Sequence, residues 1–150
     1  MPAIDKPLPT SVVGSYANPG WLWTALDEIE AGRYGPTDAK ESFDDAVNMA
    51  IRDQERAGVD IITDGEMRRH LFVQNFYGRM KGLLKQDPLR RTGFYAYDSV
   101  PRYTLTERIS MPEGFGIVDE YNYLRSNTDL AIKATCPGPL TLTIHIRLED

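Results

Sequence analysis

Two short polar turns, each following a β-branched apolar run, carry the chemistry that this sequence is best equipped to do. Thr10-Ser11-Val12-Val13 leads into Gly14-Ser15, and Val59-Asp60-Ile61-Ile62-Thr63 leads into Asp64-Gly65-Glu66. A small Gly-Ser turn presents backbone N–H groups and a hydroxyl, which together suit a carboxylate. A Glu fixed on a strand-end loop offers a charge-assisted hydrogen bond to an ammonium group. The same position admits another use, because burial at a strand end would raise the pKa of Asp64 or Glu66 towards the range of a general acid or base. Taken singly, each is also what an ordinary turn and an ordinary helix-capping acid look like. The other groups able to ligate or attack are His70, Cys136 and His145, whose spacing resembles no metal-ligand pattern. Cys136 reads as a small buried hydrophobe at a strand end. His70 reads as a helix-surface or capping residue, and His145 as an exposed strand residue or a partner contact. No metal site is expected within this chain.

The elements that must position these turns follow from hydrophobic spacing. Residues 10–15 form a short buried strand with a Gly stop. Pro19-Gly20 marks a turn into a helix over 21–31, with Leu22, Leu26 and Ile29 on one face and Gly32 at its end. From 37 to 57, Phe43, Ala46, Val47, Ala50, Ile51 and Ala57 recur at intervals of three and four, the stripe of a long amphipathic helix stopped by Gly58. The run 59–63 is then a strand, which places Asp64, Gly65 and Glu66 beyond its C-terminal end. In alternating α/β folds, ligand sites lie there. A further helix is expected over 69–80, with Phe72, Val73, Phe76 and Tyr77 buried.

Periodicity fades between 82 and 116. The alternating stretch 94–106, broken by Pro101, suggests an irregular hairpin inserted between strand-helix units. Its Phe94, Tyr95, Tyr97, Tyr103 and Leu105 would pack the insertion against the body or a partner, or cover a pocket. A short helix follows over 117–125, then a strand over 130–135 running into Cys136-Pro137-Gly138-Pro139. Beyond that, Leu142, Ile144, Ile146 and Leu148 alternate with Thr141, Thr143, His145 and Arg147, which is strand periodicity.

With 150 residues, 41% of them hydrophobic, the chain can bury a core without disulfides, and one domain over 1–150 is the natural expectation. The single cysteine and the absence of a basic-then-apolar leader point to a reducing, cytoplasmic setting. No stretch approaches the roughly 20 apolar residues of a membrane span. A net charge of −5 with 17 scattered basic residues excludes a phosphate-tracking stripe, so no nucleic acid is expected as a partner. Arg68-Arg69 and Arg90-Arg91 read as solvated or locally paired.

Three ordered blocks resemble a known family. They are Pro9-Thr10-Ser11-Val12-Val13-Gly14-Ser15-Tyr16, the stretch from Gln54-Glu55-Arg56-Ala57-Gly58 through Asp64-Gly65-Glu66, and Pro137-Gly138-Pro139-Leu140-Thr141. In that order they are similar to the N-terminal half of the catalytic barrel of cobalamin-independent methionine synthases, within the barrel superfamily that includes uroporphyrinogen decarboxylase-like enzymes. The resemblance implies an α/β fold, about half of a (β/α)8 TIM-type barrel, with the hairpin of about 82–116 as an insertion. It implies a zinc-dependent methyl or alkyl transfer to a thiol such as homocysteine. Gly14 and Ser15 would sit where the family holds the amino-acid carboxylate, and Glu66 where it grips the ammonium. His70-Leu71 stands where the folate-dependent members carry an Asn-Asp pair, so a folate donor is not carried over. The alternating tail departs as well, because the family leads into a helix there.

In that family the zinc is held by a His-x-Cys pair, a Glu and a further Cys, all in the second half of the barrel. The resemblance therefore implies zinc bound by residues outside this chain. A full barrel needs roughly 250 residues, so this chain supplies about three or four strand-helix units. Open strand edges call for cover. The expectation is a second polypeptide that completes the barrel in a hetero-oligomer and brings the metal ligands, unless the sequence is a truncated segment or a domain of different shape. Two alternatives stay open: a lyase or decarboxylase using Asp64 or Glu66, and a non-catalytic partner subunit.

Overall fold

Helix α2 organises the larger part of the molecule because its apolar residues form one continuous stripe. In the computed structural model, which describes residues 4–71, 73–88 and 100–148, α1 spans Gly20–Glu30 and α2 spans Pro36–Arg56. Pro36 opens α2 at a position where its missing N–H costs nothing, and the Asp38 carboxylate accepts from Gly35 N at 2.9 Å. The buried face is Ala46, Val47, Ala50, Ile51 and Gln54. Ala57, expected on that face, is exposed just past the helix end.

Two compact units are present, one built from residues 1–70 and 117–135, the other from 71–116 and 136–150. In the first, strand β1 (Ile61–Ile62) pairs in parallel with β4 (Ala131–Ile132), the pairs being Ile61 with Ala131 and Ile62 with Ile132. On the other side Ser11 bridges in parallel to Ile61, and Ile61 N donates to Thr10 O at 3.0 Å. The N-terminal run touches the sheet only at this one bridge and is not the buried strand expected over 10–15: Ser11 and Val12 are half-buried, and Val13, Gly14 and Ser15 are exposed, because the chain leaves the sheet edge directly after Ser11. Helix α4 (Ile117–Asn127) precedes β4. Leu22, Ala46, Val47, Ala50, Ile51, Ile62, Met67, Leu124 and Ile132 form the core between the helices and this small sheet.

Buried Gln54 ties α2 to the end of β1. Its amide donates to Ala50 O at 2.9 Å and Thr63 O at 2.8 Å, and its carbonyl accepts from Thr63 N at 2.9 Å. A buried polar group so satisfied fixes register instead of weakening the core. At the opposite end of the strands Asp60 accepts from Thr10 N and Thr10 Oγ1, both at 2.7 Å, and from Lys6 at 2.9 Å. Those donors hold its carboxyl down at about 2.

The second unit holds helix α3 (Gln74–Tyr77) and strands β2 (Lys81–Gln86) and β3 (Arg102–Ser110), then α5 (Pro139–Leu142) and β5 (Ile146–Leu148). β2 pairs with β3 antiparallel, and β3 with β5 in parallel. Val73, Tyr77 and Tyr103 are its buried centre, with the two tyrosine rings edge to face at 4.8 Å. Tyr77 OH donates to Leu142 O at 2.6 Å.

Several expectations change. The hairpin arms are 81–86 and 102–110, and of the expected stretch 94–106 the residues 94–99, with Phe94, Tyr95 and Tyr97, lie outside the described ones, as do Phe72 and Arg90-Arg91. The helix expected over 69–80 shortens to α3, because residues before it turn with hydrogen bonds such as Gln74 N to Leu71 O. The tail is not one strand: Pro139 starts a helical turn that takes Leu142 with it, and only Ile146–Leu148 pair. Cys136 is exposed, not buried, since β4 ends at Ile132 and the chain has left the sheet before reaching it.

Candidate functional site

The two polar turns of the sequence are held side by side. Tyr16 N donates to Gly65 O at 2.9 Å, which couples the turn after the N-terminal segment to the turn after β1. The second turn lies beyond the C-terminal end of β1 and the first follows the segment bridged in parallel to β1 at Ser11, so Gly14 and Ser15 flank one side of that bond and Glu66 the other. Gly14 and Ser15 are exposed, Glu66 is half-buried and Asp64 is buried.

The second turn is built by its own residues. Thr63 Oγ1 accepts from Gly65 N at 3.2 Å, and Asp64 Oδ1 accepts from Glu66 N at 3.0 Å. Such side-chain-to-backbone bonds two residues on are how Thr and Asp make turns. Gly65 has a φ of +66° and lies so close to α2 that a Cβ would come within 2.8 Å of Ala50 Cβ. Glu66 itself has a φ of +54°, left-handed for a residue with a side chain. Backbone of this kind persists only where the surroundings hold it.

Arginines surround the turn, each paired. Arg68 binds the Asp44 carboxylate, with its guanidinium 4.8 Å from the Tyr123 ring centre. Burial pushes Asp44 up, but hydrogen bonds from Arg68 and Lys40 outweigh it and leave its carboxyl below the usual range. Arg69 binds Glu120 and donates to Thr135 Oγ1 at 2.9 Å. Burial pushes the Glu120 carboxyl up, against the pull of Arg69. This network was missed in the sequence: the Arg68-Arg69 pair was visible, but nothing local marks partners so distant along the chain.

His70 is half-buried in the turns beyond Glu66 instead of lying on a helix, and burial lowers its pKa against the nearby charge of Glu30. Cys136 and His145 belong to the second unit, His145 half-buried just before β5. Among the described residues no three His, Cys, Asp or Glu side chains converge as a metal site. The donor set therefore does not fit zinc within these residues. Among the described helices none is long and apolar enough to cross a membrane.

Comparison with known proteins decides the family. The catalytic domain of cobalamin-independent synthases matches residues 8–150. The chain belongs to that family. Methionine synthases of Sulfurisphaera tokodaii and Saccharolobus solfataricus are each 38% identical to this cobalamin-independent synthase-type chain, over 136 and 139 residues. The matches take in 90% of the chain but only 39% and 40% of those relatives. The chain thus spans about two fifths of their length. Among solved structures, a B12-independent methionine synthase from Shewanella sp. W3-18-1 in complex with selenomethionine superposes with a TM-score of 0.70 at 25% identity, covering 95% of this chain and 41% of that one. A protein from Listeria monocytogenes, assigned to the vitamin-B12-independent methionine synthases, shares the fold, with a TM-score of 0.68 at 21% identity.

Proposed function

We propose that this chain supplies the amino-acid-binding side of a methyl- or alkyl-transfer site acting on a thiol such as homocysteine. One observation carries the proposal: the Gly14-Ser15 turn and the Asp64-Gly65-Glu66 turn are fastened together through Tyr16 N and Gly65 O, beyond the C-terminal end of β1 and the segment bridged in parallel to it. Gly14 and Ser15 receive the carboxylate through backbone N–H groups and the hydroxyl. Glu66 receives the ammonium by a charge-assisted hydrogen bond, and Asp64 holds the turn that aims it. The Shewanella structure is in complex with selenomethionine, an amino acid that presents both groups, and this supports the same ligand class here.

In this proposal the fold is about half of a (β/α)8 barrel, and polypeptide outside these 150 residues, supplied by a second chain, completes it. Zinc bound by that polypeptide would keep the thiol deprotonated. This chain's own contribution is positioning, which converts an encounter of two reactants into an oriented one.

L-Methionine titrated into the ¹⁵N-labelled chain tests the proposal. Saturable shifts are expected at the Ser15 and Glu66 amides, with Glu66→Gln weakening binding roughly tenfold, as expected for loss of a charge-assisted bond. The isolated chain is expected to retain far less than one equivalent of zinc. Equal binding by Glu66→Gln, or tight stoichiometric zinc in the isolated chain, would contradict the assignment.

A further inference from the structure

Arg69 is the most enclosed of the ion-paired cations among the described residues, its side chain only 6% exposed. Nη1 donates to Thr135 Oγ1 at 2.9 Å, Nη2 donates to the Glu120 carboxylate, and the backbone N–H of the same residue donates to Glu66 O at 2.9 Å. Thr135 follows β4, and Glu120 sits in the first turn of α4. A single residue therefore links the turn that carries Glu66 to the neighbouring strand and to the helix before it.

Glu66 needs such a link. Its left-handed backbone is one that a residue with a Cβ leaves unless held. Asp64 Oδ1 holds its N–H from one side, but Asp64 belongs to the same turn and would move with it. Arg69 holds its carbonyl from the other side and is itself anchored outside the turn. Resting on the assignment of Glu66 as the ammonium-binding carboxylate, we propose that Arg69, clamped by Glu120 and Thr135, is a positioning residue that fixes the Glu66 turn for amino-acid binding. Arginine suits this task because its planar fork sets a direction with two partners at once, which the single ammonium of lysine does not.

The test uses the same L-methionine titration with Arg69→Lys, Thr135→Val, Glu66→Gln and the double variant Glu66→Gln with Arg69→Lys. Arg69→Lys is expected to weaken binding roughly tenfold in the parent chain, while adding little once Glu66 is already Gln, because residues acting through one another are not additive. Equal fold-losses in both backgrounds would mean a merely structural role and overturn the inference. So would parent-like binding by Arg69→Lys and Thr135→Val where Glu66→Gln has lost affinity; Glu66 then keeps its assignment. Unchanged binding by Glu66→Gln removes that assignment and the inference with it. If Arg69→Lys does not fold, Thr135→Val, which leaves the ion pair whole, decides the question by whether it weakens binding and shifts the Glu66 amide.

Discussion

At the scale of single residues, the candidate site depends on how closely the backbone at Gly65 approaches helix α2. Ala50 is fully buried, so a methyl group added at Gly65 meets a neighbour that has nowhere to go. Gly65→Ala then combines overpacking with a left-handed backbone, at a cost of about 2–4 kcal/mol. Gly14, with a φ of +79°, has open space where its Cβ would stand. Gly14→Ala costs only backbone strain, about 1 kcal/mol. Thermal melts of the two variants should therefore rank Gly65→Ala well below Gly14→Ala, with a fall of roughly 4–16 °C in Tm for the former. Equal melting temperatures would mean that α2 yields to the turn, and the coupling between helix packing and the placement of Glu66 would be lost.

At the scale of elements, the N-terminal segment is held to β1 by an electrostatic latch as well as by its single parallel bridge. Asp60 is depressed to about 2 by Lys6 and by the Thr10 backbone and hydroxyl, against an ordinary value near 3.9. A folded-state value below the unfolded one means that the contribution is present above about pH 4 and is lost as pH falls through about 2. Hydrogen exchange at the Ile61 amide, which donates to Thr10 O, should accelerate relative to Gln54-bound Thr63 as pH drops through that window. In Asp60→Asn the acceleration should be present already at neutral pH, and the same protection ratio in both proteins would sink the latch. The elements that the sequence made legible are those with unbroken period, above all α2, whose Ala46, Val47, Ala50 and Ile51 occupy the expected face. Strand β2 was not legible, because the register shift between Lys81 and Leu83 destroys its alternation. In the tail, true alternation of residue types misled, because Pro139 opens a helical turn before any strand partner is met. The site divides the same way: Asp64-Gly65-Glu66 is local and readable, whereas Arg69 finds Glu120 and Thr135 at 51 and 66 residues' separation, where no periodicity carries a signal.

At the scale of the whole molecule, the chain spans about 40% of each relative and yet contains a sheet whose outer strands are unpaired among the described residues. In the first unit those strands are the Ser11 segment and β4, and Val13 beside the turn is 94% exposed. In the second, Leu140 and Leu148 are 84% and 74% exposed. Unpaired strand edges and bare large hydrophobics drive association unless something covers them. The isolated chain is therefore expected to bind a hydrophobic dye and to sediment above its 17.0 kDa mass, increasingly so across the micromolar range where such surfaces associate. Co-expression with a polypeptide carrying a His-x-Cys pair and a later Cys should yield a one-to-one complex in which dye binding and self-association both fall. Lysine at Leu140 and Leu148 separates the two sources. If the double variant becomes monomeric while the dye still binds, the parallel strands of the first unit are the surface awaiting a partner. A parent chain that stays monomeric near 100 µM with no dye bound would show that the molecule is complete in itself, and the second polypeptide would have no surface left to fill.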